Sequence, residues 1–200
     1  MMCKWNYSTI EAAKLLGTSV QTVQRWMDLG HLRGWRTPGG HRRIDGASVE
    51  RLLRVAALPD VITAGPVDMR ILLVDDSPDD LDLLTAVVRM VMPGASIVKA
   101  ESGFAALMLI GRVPPALLIT DIAMHGFDGL EMIRSLRSDP AIADLPVIAV
   151  SGHPPEEIVQ RFGTVLAAVS ILRKPVSPAA LRQAVAHVAP ALLAALAEAA

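Results

Sequence analysis

A single cysteine, Cys3, stands in a chain of 200 residues. An intrachain disulfide is therefore excluded, and so is a zinc cluster built from several thiolates. No uninterrupted apolar run approaches the ~18 residues that a membrane-spanning helix needs. The Ala/Leu-rich stretch 191–199 is too short to span a bilayer. The opening Met-Met-Cys-Lys-Trp lacks the apolar centre of a secretory signal. These absences lead us to expect a cytoplasmic, soluble protein with no membrane partner.

Net charge is almost absent too, at −1, but the two ends differ. Residues 1–58 carry nine Lys/Arg and four Asp/Glu, a net +5, and the rest of the chain is net −6. A basic head on an acidic body implies an anionic partner for the head, with double-stranded DNA the first candidate. Hydrophobic residues make up 52%, enough for a sizeable core. The length suits one large domain or two small ones.

Residues 56–68 contain Pro59, Gly65 and Pro66, show little helical periodicity, and read as a linker between a head at 1–55 and a body at 69–190. A dozen extended residues reach roughly 40 Å, so more than one relative arrangement of the halves is allowed. Residues 191–200 read as a helical tail with Leu192, Leu193 and Leu196 on one side.

The head pattern predicts three short helices and a hairpin. Ser8-Thr9-Ile10-Glu11 is a capping box opening a helix that stops at Gly17. Thr18 and Ser19 offer a cap for a second helix, about Val20 to Leu29. Val20, Val23, Trp26 and Met27 form its buried stripe, leaving Gln21, Thr22, Gln24 and Arg25 on the opposite face. A strand at 32–37, the turn Pro38-Gly39-Gly40 and a returning strand at 41–44 follow, and Asp45 caps a third helix. The hairpin carries Arg36, His41, Arg42 and Arg43, suited to phosphate contacts. Two helices joined by a tight turn form the helix-turn-helix unit, whose second helix reads the major groove. The strings Tyr7 to Gly17, Thr22-Val23-Gln24-Arg25-Trp26 and Arg36-Thr37-Pro38-Gly39-Gly40-His41-Arg42-Arg43-Ile44 resemble a MerR/excisionase-type winged helix-turn-helix over about residues 6–54. That resemblance implies DNA binding, usually as dimers or in arrays.

The body alternates strand and helix five times. Strands are expected near 70–75, 96–100, 116–120, 146–151 and 168–173, with helices near 79–92, 103–111, 129–138, 155–162 and 178–189. Such alternation predicts an α/β fold with a doubly wound parallel sheet, helices covering both faces. The apolar runs that read as strands lead into Asp75-Asp76, Asp121, Ser151 and Lys174-Pro175. Open α/β sheets bind ligands at the carboxyl ends of their strands. Three carboxylates suit Mg2+, and a lysine suits the remaining charge of a phosphoryl group. Asp121 is the natural nucleophile, the Ser151 hydroxyl can bond a phosphate oxygen, and Pro175 is expected to follow a cis bond that aims Lys174 inward. Met90, Met92, Met108 and Met132 read as core filler, and His153 and His187 as surface residues.

This set resembles the receiver domain of two-component response regulators over about residues 69–190, with Met124, Gly126, Asp128-Gly129 and Ser151-Gly152 adding to the match. The resemblance implies a flavodoxin-like five-stranded sheet in the order 2-1-3-4-5. It also implies phosphorylation of Asp121 by a sensor histidine kinase or phosphotransfer protein. Mg2+ would be held by Asp75, Asp76, Asp121 and the carbonyl of Ala123. Three positions depart from the usual pattern. Ile171 stands where an aromatic switch residue is common. His125 replaces a frequent proline and is expected to loosen its loop. Ala123 has no side chain to position or block water.

The chain is therefore expected to be a transcription-regulating response regulator that dimerises through its receiver. Arg182, Gln183 and the apolar tail 192–196 are the candidate interface. The alternative is a constitutive dimeric DNA-binding protein using a degenerate receiver as a platform. An enzyme acting on a small phosphorylated metabolite is disfavoured by the apparent lack of a substrate pocket beyond the metal site.

Overall fold

The computed structural model describes residues 4–28, 30, 32–55, 69–125, 128–163 and 169–198. The expected linker, Leu29 and Gly126 lie outside the described residues. The head comprises β1 (Asn6–Ser8), α1 (Thr9–Leu16), α2 (Val20–Asp28), β2 (Gly34–Arg36), β3 (Arg42–Asp45) and α3 (Gly46–Val55). The capping box forms as read: Ser8 Oγ accepts from the Glu11 N–H and the Glu11 carboxylate accepts from the Ser8 N–H. Gly17 closes α1 in the left-handed region at φ 62°, where a Cβ would strain. Ser19 Oγ caps α2 by accepting from the Thr22 N–H, and Asp45 caps α3 by accepting from the Ser48 N–H.

The hairpin is present, and β1 adds a third strand that the sequence reading lacked, giving an antiparallel sheet in the order β1-β3-β2. Three residues leading into a helix cap show too little alternation to betray a strand. One further expectation is corrected: Met90 is 68% exposed rather than core filler.

The body is a five-stranded parallel sheet in the order β5-β4-β6-β7-β8, the flavodoxin-like arrangement. Its strands are β4 (Arg70–Val74), β5 (Ser96–Ala100), β6 (Leu117–Asp121), β7 (Val147–Ser151) and β8 (Val169–Arg173). The helices are α4 (Pro78–Val91), α5 (Gly103–Arg112), α6 (Gly129–Arg137), α7 (Pro155–Phe162), α8 (Pro178–Val188) and α9 (Pro190–Glu198). The central strands β4, β6 and β7 are buried throughout, as parallel strands covered on both faces require.

Successive side chains divide between two cores. Ile71, Leu73, Leu117 and Ile119 pack with α4, α8 and α9. Leu72, Val74, Leu118 and Ala149 pack with α5 and α6, in one cluster with Ala12, Leu16, Val23 and Trp26 of the head. α9 bends 113° from α8 and returns Leu192 and Leu196 to the first of these cores. The tail therefore covers the body instead of offering an apolar dimer surface, a correction to that expectation. Among the described residues no single helix is long and apolar enough to cross a membrane.

Candidate functional site

Four neighbouring parallel strands end at one edge, and each delivers a polar group there. Asp75 and Asp76 follow β4, Asp121 is the last residue of β6, Ser151 the last of β7, and Lys174 follows β8. The strand ends are tied to one another: the Asp75 N–H donates to the Ala100 carbonyl at 3.2 Å and the Lys174 N–H to the Ser151 carbonyl at 2.7 Å. The Lys174–Pro175 bond is cis, as anticipated.

Asp75 and Asp121 are nearly buried, at 2% and 6% exposure, while Asp76 is half-buried. Oxygens from all three lie within 4.8 Å of one another. Lys174 Nζ donates to Asp75 at 2.7 Å, to Asp121 at 2.9 Å and to Asp80 at 2.6 Å. Burial disfavours the ammonium, but these three carboxylate bonds outweigh it and push Lys174 above the ordinary lysine range. Burial pushes the Asp75 carboxyl up, against the Lys174 and Ser77 N–H bonds that favour its charged form.

Asp80 was not read from the sequence. It lies in the first turn of α4, where Ser77 Oγ accepts its N–H. The Ser77-Pro78 helix start marked the position, but its contact with a lysine 94 residues away carries no local signal.

His125 behaves differently from expectation. Its N–H donates to Asp76 Oδ2 at 2.8 Å and its ring Nδ1 lies 2.6 Å from the same oxygen. The residue thus ties its loop to the acidic pair rather than loosening it. The backbone bond is the largest cause holding the Asp76 carboxyl below the usual range.

Ala123 is exposed and its N–H donates to Asp121 Oδ1 at 3.1 Å. Ser151 is buried, its Oγ accepting from the His153 N–H at 3.0 Å. Ile171 is half-buried against the core.

The donor set is all oxygen. Three carboxylates share one ammonium and Asp76 stands beside them, leaving an excess of negative charge that a divalent ion would offset. Hard oxygen donors in this number suit Mg2+. A cavity of about 220 Å³ adjoins the site, lined by Asp75, Asp80, Leu83, Val87, Lys174 and Val176 among others. Its walls beyond the acids and the lysine are apolar.

In the head, Gln21, Arg36 and His41 are exposed, and Gln24, Arg25 and Arg43 are half-buried. Two anticipated DNA contacts are placed elsewhere. Thr22 is 4% exposed and its hydroxyl lies 2.8 Å from Ser19 Oγ. Arg42 donates to the Gln24 carbonyl at 3.0 Å and pairs with Asp28 at 2.8 Å, bracing the end of α2.

The response regulator receiver domain model matches residues 71–186, and a helix-turn-helix domain model matches residues 7–54. Protein PilH of Pseudomonas aeruginosa is 35% identical over 107 residues, covering 54% of this chain and 86% of PilH. Transcriptional regulatory protein GlrR of Escherichia coli is 34% identical over 117 residues, covering 58% of this chain and 25% of GlrR. The chain spans a quarter or less of that protein and of several other curated relatives. The signal receiver domain of a DNA binding response regulator protein (merR) from Colwellia psychrerythraea is 30% identical, with a TM-score of 0.52 over 57% of this chain and 93% of that one. With its acidic pocket, its sheet order and a matched model over more than half its length, this chain belongs to the response regulator receiver family and carries a helix-turn-helix domain ahead of the receiver.

Proposed function

We propose that the protein is a DNA-binding response regulator, phosphorylated on Asp121 by a histidine kinase or phosphotransfer protein and regulating transcription from the cytoplasm. The observation that carries this reading is Lys174 Nζ held 2.9 Å from Asp121 within the Asp75-Asp76-Asp121 cluster. A carboxylate oxygen of Asp121 attacks the phosphorus of a phosphohistidine. The P–N bond breaks, its electron pair returns to the imidazole, and that ring takes up a proton. Asp75, Asp76, Asp121 and the Ala123 carbonyl would hold Mg2+. The ion, when bound, neutralises phosphoryl oxygens. Lys174 then exchanges carboxylate partners for a phosphoryl oxygen, and the Ser151 hydroxyl can turn to another.

The head is read as a MerR/excisionase-type winged module. Gln21, Gln24 and Arg25 face the groove, and Arg36, His41 and Arg43 on the hairpin meet phosphates. Pairing of two receivers through the α7-β8-α8 face, with Arg182 and Gln183 exposed on α8, would bring two heads to adjacent half-sites.

The test is intact mass after incubation with acetyl phosphate and Mg2+. The wild-type chain should gain one phosphoryl group and Asp121→Asn none. An unmodified wild type, or equal labelling of both, overturns the reading.

The second reading is a constitutive platform, favoured by Ile171, which packs against the core where an aromatic switch would swing. Under it, Asp121→Asn binds duplex DNA as the wild type does.

A further inference from the structure

The Asp80 carboxylate has no task in its own helix. The cap of α4 is the Ser77 hydroxyl, which accepts the Asp80 N–H and gives the Asp80 side chain no capping role. An acid in a first turn favours the helix dipole, but Asp79, exposed in the same turn, supplies that charge already. Nor does Asp80 belong to the metal set. Among the described residues, the carboxylates whose oxygens gather within 4.8 Å are Asp75, Asp76 and Asp121.

What the Asp80 carboxylate does touch is Lys174 Nζ, at 2.6 Å. An ammonium has three N–H groups to give. Asp75, Asp80 and Asp121 take one each. Two of these acceptors stand at strand ends and the third on α4, so together they fix both the place of the nitrogen and its rotation. The surroundings do not hold it unaided. Lys174 lines the cavity of about 220 Å³, whose Leu83, Leu84, Val87 and Val176 side chains offer no acceptor. A lysine beside open space keeps its rotamer freedom unless bonds remove it.

Resting on the proposed phosphorylation of Asp121, we infer that Asp80 is a positioning residue for the phosphoryl-binding lysine. With acetyl phosphate as donor, an Asp121 oxygen attacks the phosphorus. The bond from phosphorus to the acetyl oxygen breaks, and its electron pair leaves with acetate. As an acyl phosphate, Asp121 carries no carboxylate charge, and the Lys174 N–H aimed at it meets a phosphoryl oxygen instead. Asp75 and Asp80 keep the other two N–H groups. Without Asp80 a single carboxylate anchor is left, and the ammonium is free to swing over the cavity.

The test compares Asp80→Ala, Asp80→Asn and Asp79→Ala in the full chain. Asparagine keeps an oxygen that accepts from Lys174 and drops the charge. Asp79→Ala removes the same charge from the same turn, and Asp79 is not a partner of Lys174. Intact mass against time gives the rate of phosphorylation by acetyl phosphate with Mg2+. The NMR signal of the Ala123 N–H, which donates to Asp121, follows binding of Mg2+ alone and then of beryllofluoride.

Asp80→Ala should be phosphorylated about tenfold more slowly and bind beryllofluoride about tenfold more weakly. That is less than the roughly hundredfold cost of a 1 Å misplacement, because Asp75 still holds the lysine. Its Mg2+ affinity should stay within about threefold of wild type, the effect of one partly exposed charge. Asp80→Asn should recover most of both losses, and Asp79→Ala should behave as wild type. A labelled wild type beside an equally fast and tight Asp80→Ala overturns the positioning role alone. So does Asp80→Asn failing as fully as alanine, which assigns the effect to charge, or Mg2+ affinity falling in step with beryllofluoride, which assigns it to the metal site. If the wild type neither gains a phosphoryl group nor binds beryllofluoride, phosphorylation of Asp121 fails, and the role of Asp80 with it.

Discussion

At the edge of the sheet the Lys174 ammonium is shared among Asp75, Asp80 and Asp121, so one side chain holds three strand and helix ends together. Asp75, Asp76, Asp121 and Lys174 were legible because each stands at the end of a run that reads as a buried strand, and a parallel sheet gathers such ends. Asp80 and His125 were not, because their contacts with Lys174 and Asp76 span 94 and 49 residues and depend on the course of loops. His125 meets Asp76 through its backbone N–H and its ring Nδ1, and the backbone bond has the larger effect. His125→Ala removes the ring and keeps the N–H, so the Asp76 carboxyl should rise modestly and remain below the usual range; NMR titration of that carboxyl checks it. Glu11 gives a pH prediction. Its bonds from Lys4 and from the Ser8 N–H hold its carboxyl at about 2, below its ordinary value of 4.5. A depressed acid stabilises the fold above its unfolded value, and that contribution is lost as pH falls through the folded one. Glu11→Gln should therefore weaken amide protection in α1 at neutral pH, and the difference from wild type should shrink as pH approaches about 2.

Among elements, the long periodic ones were legible and the short or tertiary ones were not. The five strands of the body fall within a residue or two of their expected bounds, the central β4, β6 and β7 because fully buried parallel strands are mostly apolar runs. β1 escaped, being three residues long. For α9 its helical character was legible and its destination was not: the apolar stripe of Leu192 and Leu196 is equally suited to a partner or to the chain's own core. The structure sends it to the core, with both leucines nearly buried. Leu196→Ala should accordingly lower unfolding stability by about 2 kcal/mol, the low end for a buried leucine, and leave sedimentation mass unchanged. A change of mass without loss of stability would return the tail to the role of dimer surface.

At the scale of the molecule, the charge division of the sequence sets how binding responds to salt. If the head binds phosphates, the logarithm of affinity for duplex DNA should fall with the logarithm of salt by roughly 0.9 per phosphate neutralised. Arg36→Ala and Arg43→Ala should each reduce that slope by about one contact.

The single core that α5 and the head share, with Phe104 edge-on to Trp26, bears finally on how the protein can be handled and how it arose. A receiver expressed without residues 1–55 would turn Phe104, Leu107 and Ile110 toward water, and should clump or be cleared by proteases where the intact chain stays dispersed. The two modules are thus no longer interchangeable parts, since severing either from its companion leaves a sticky scar.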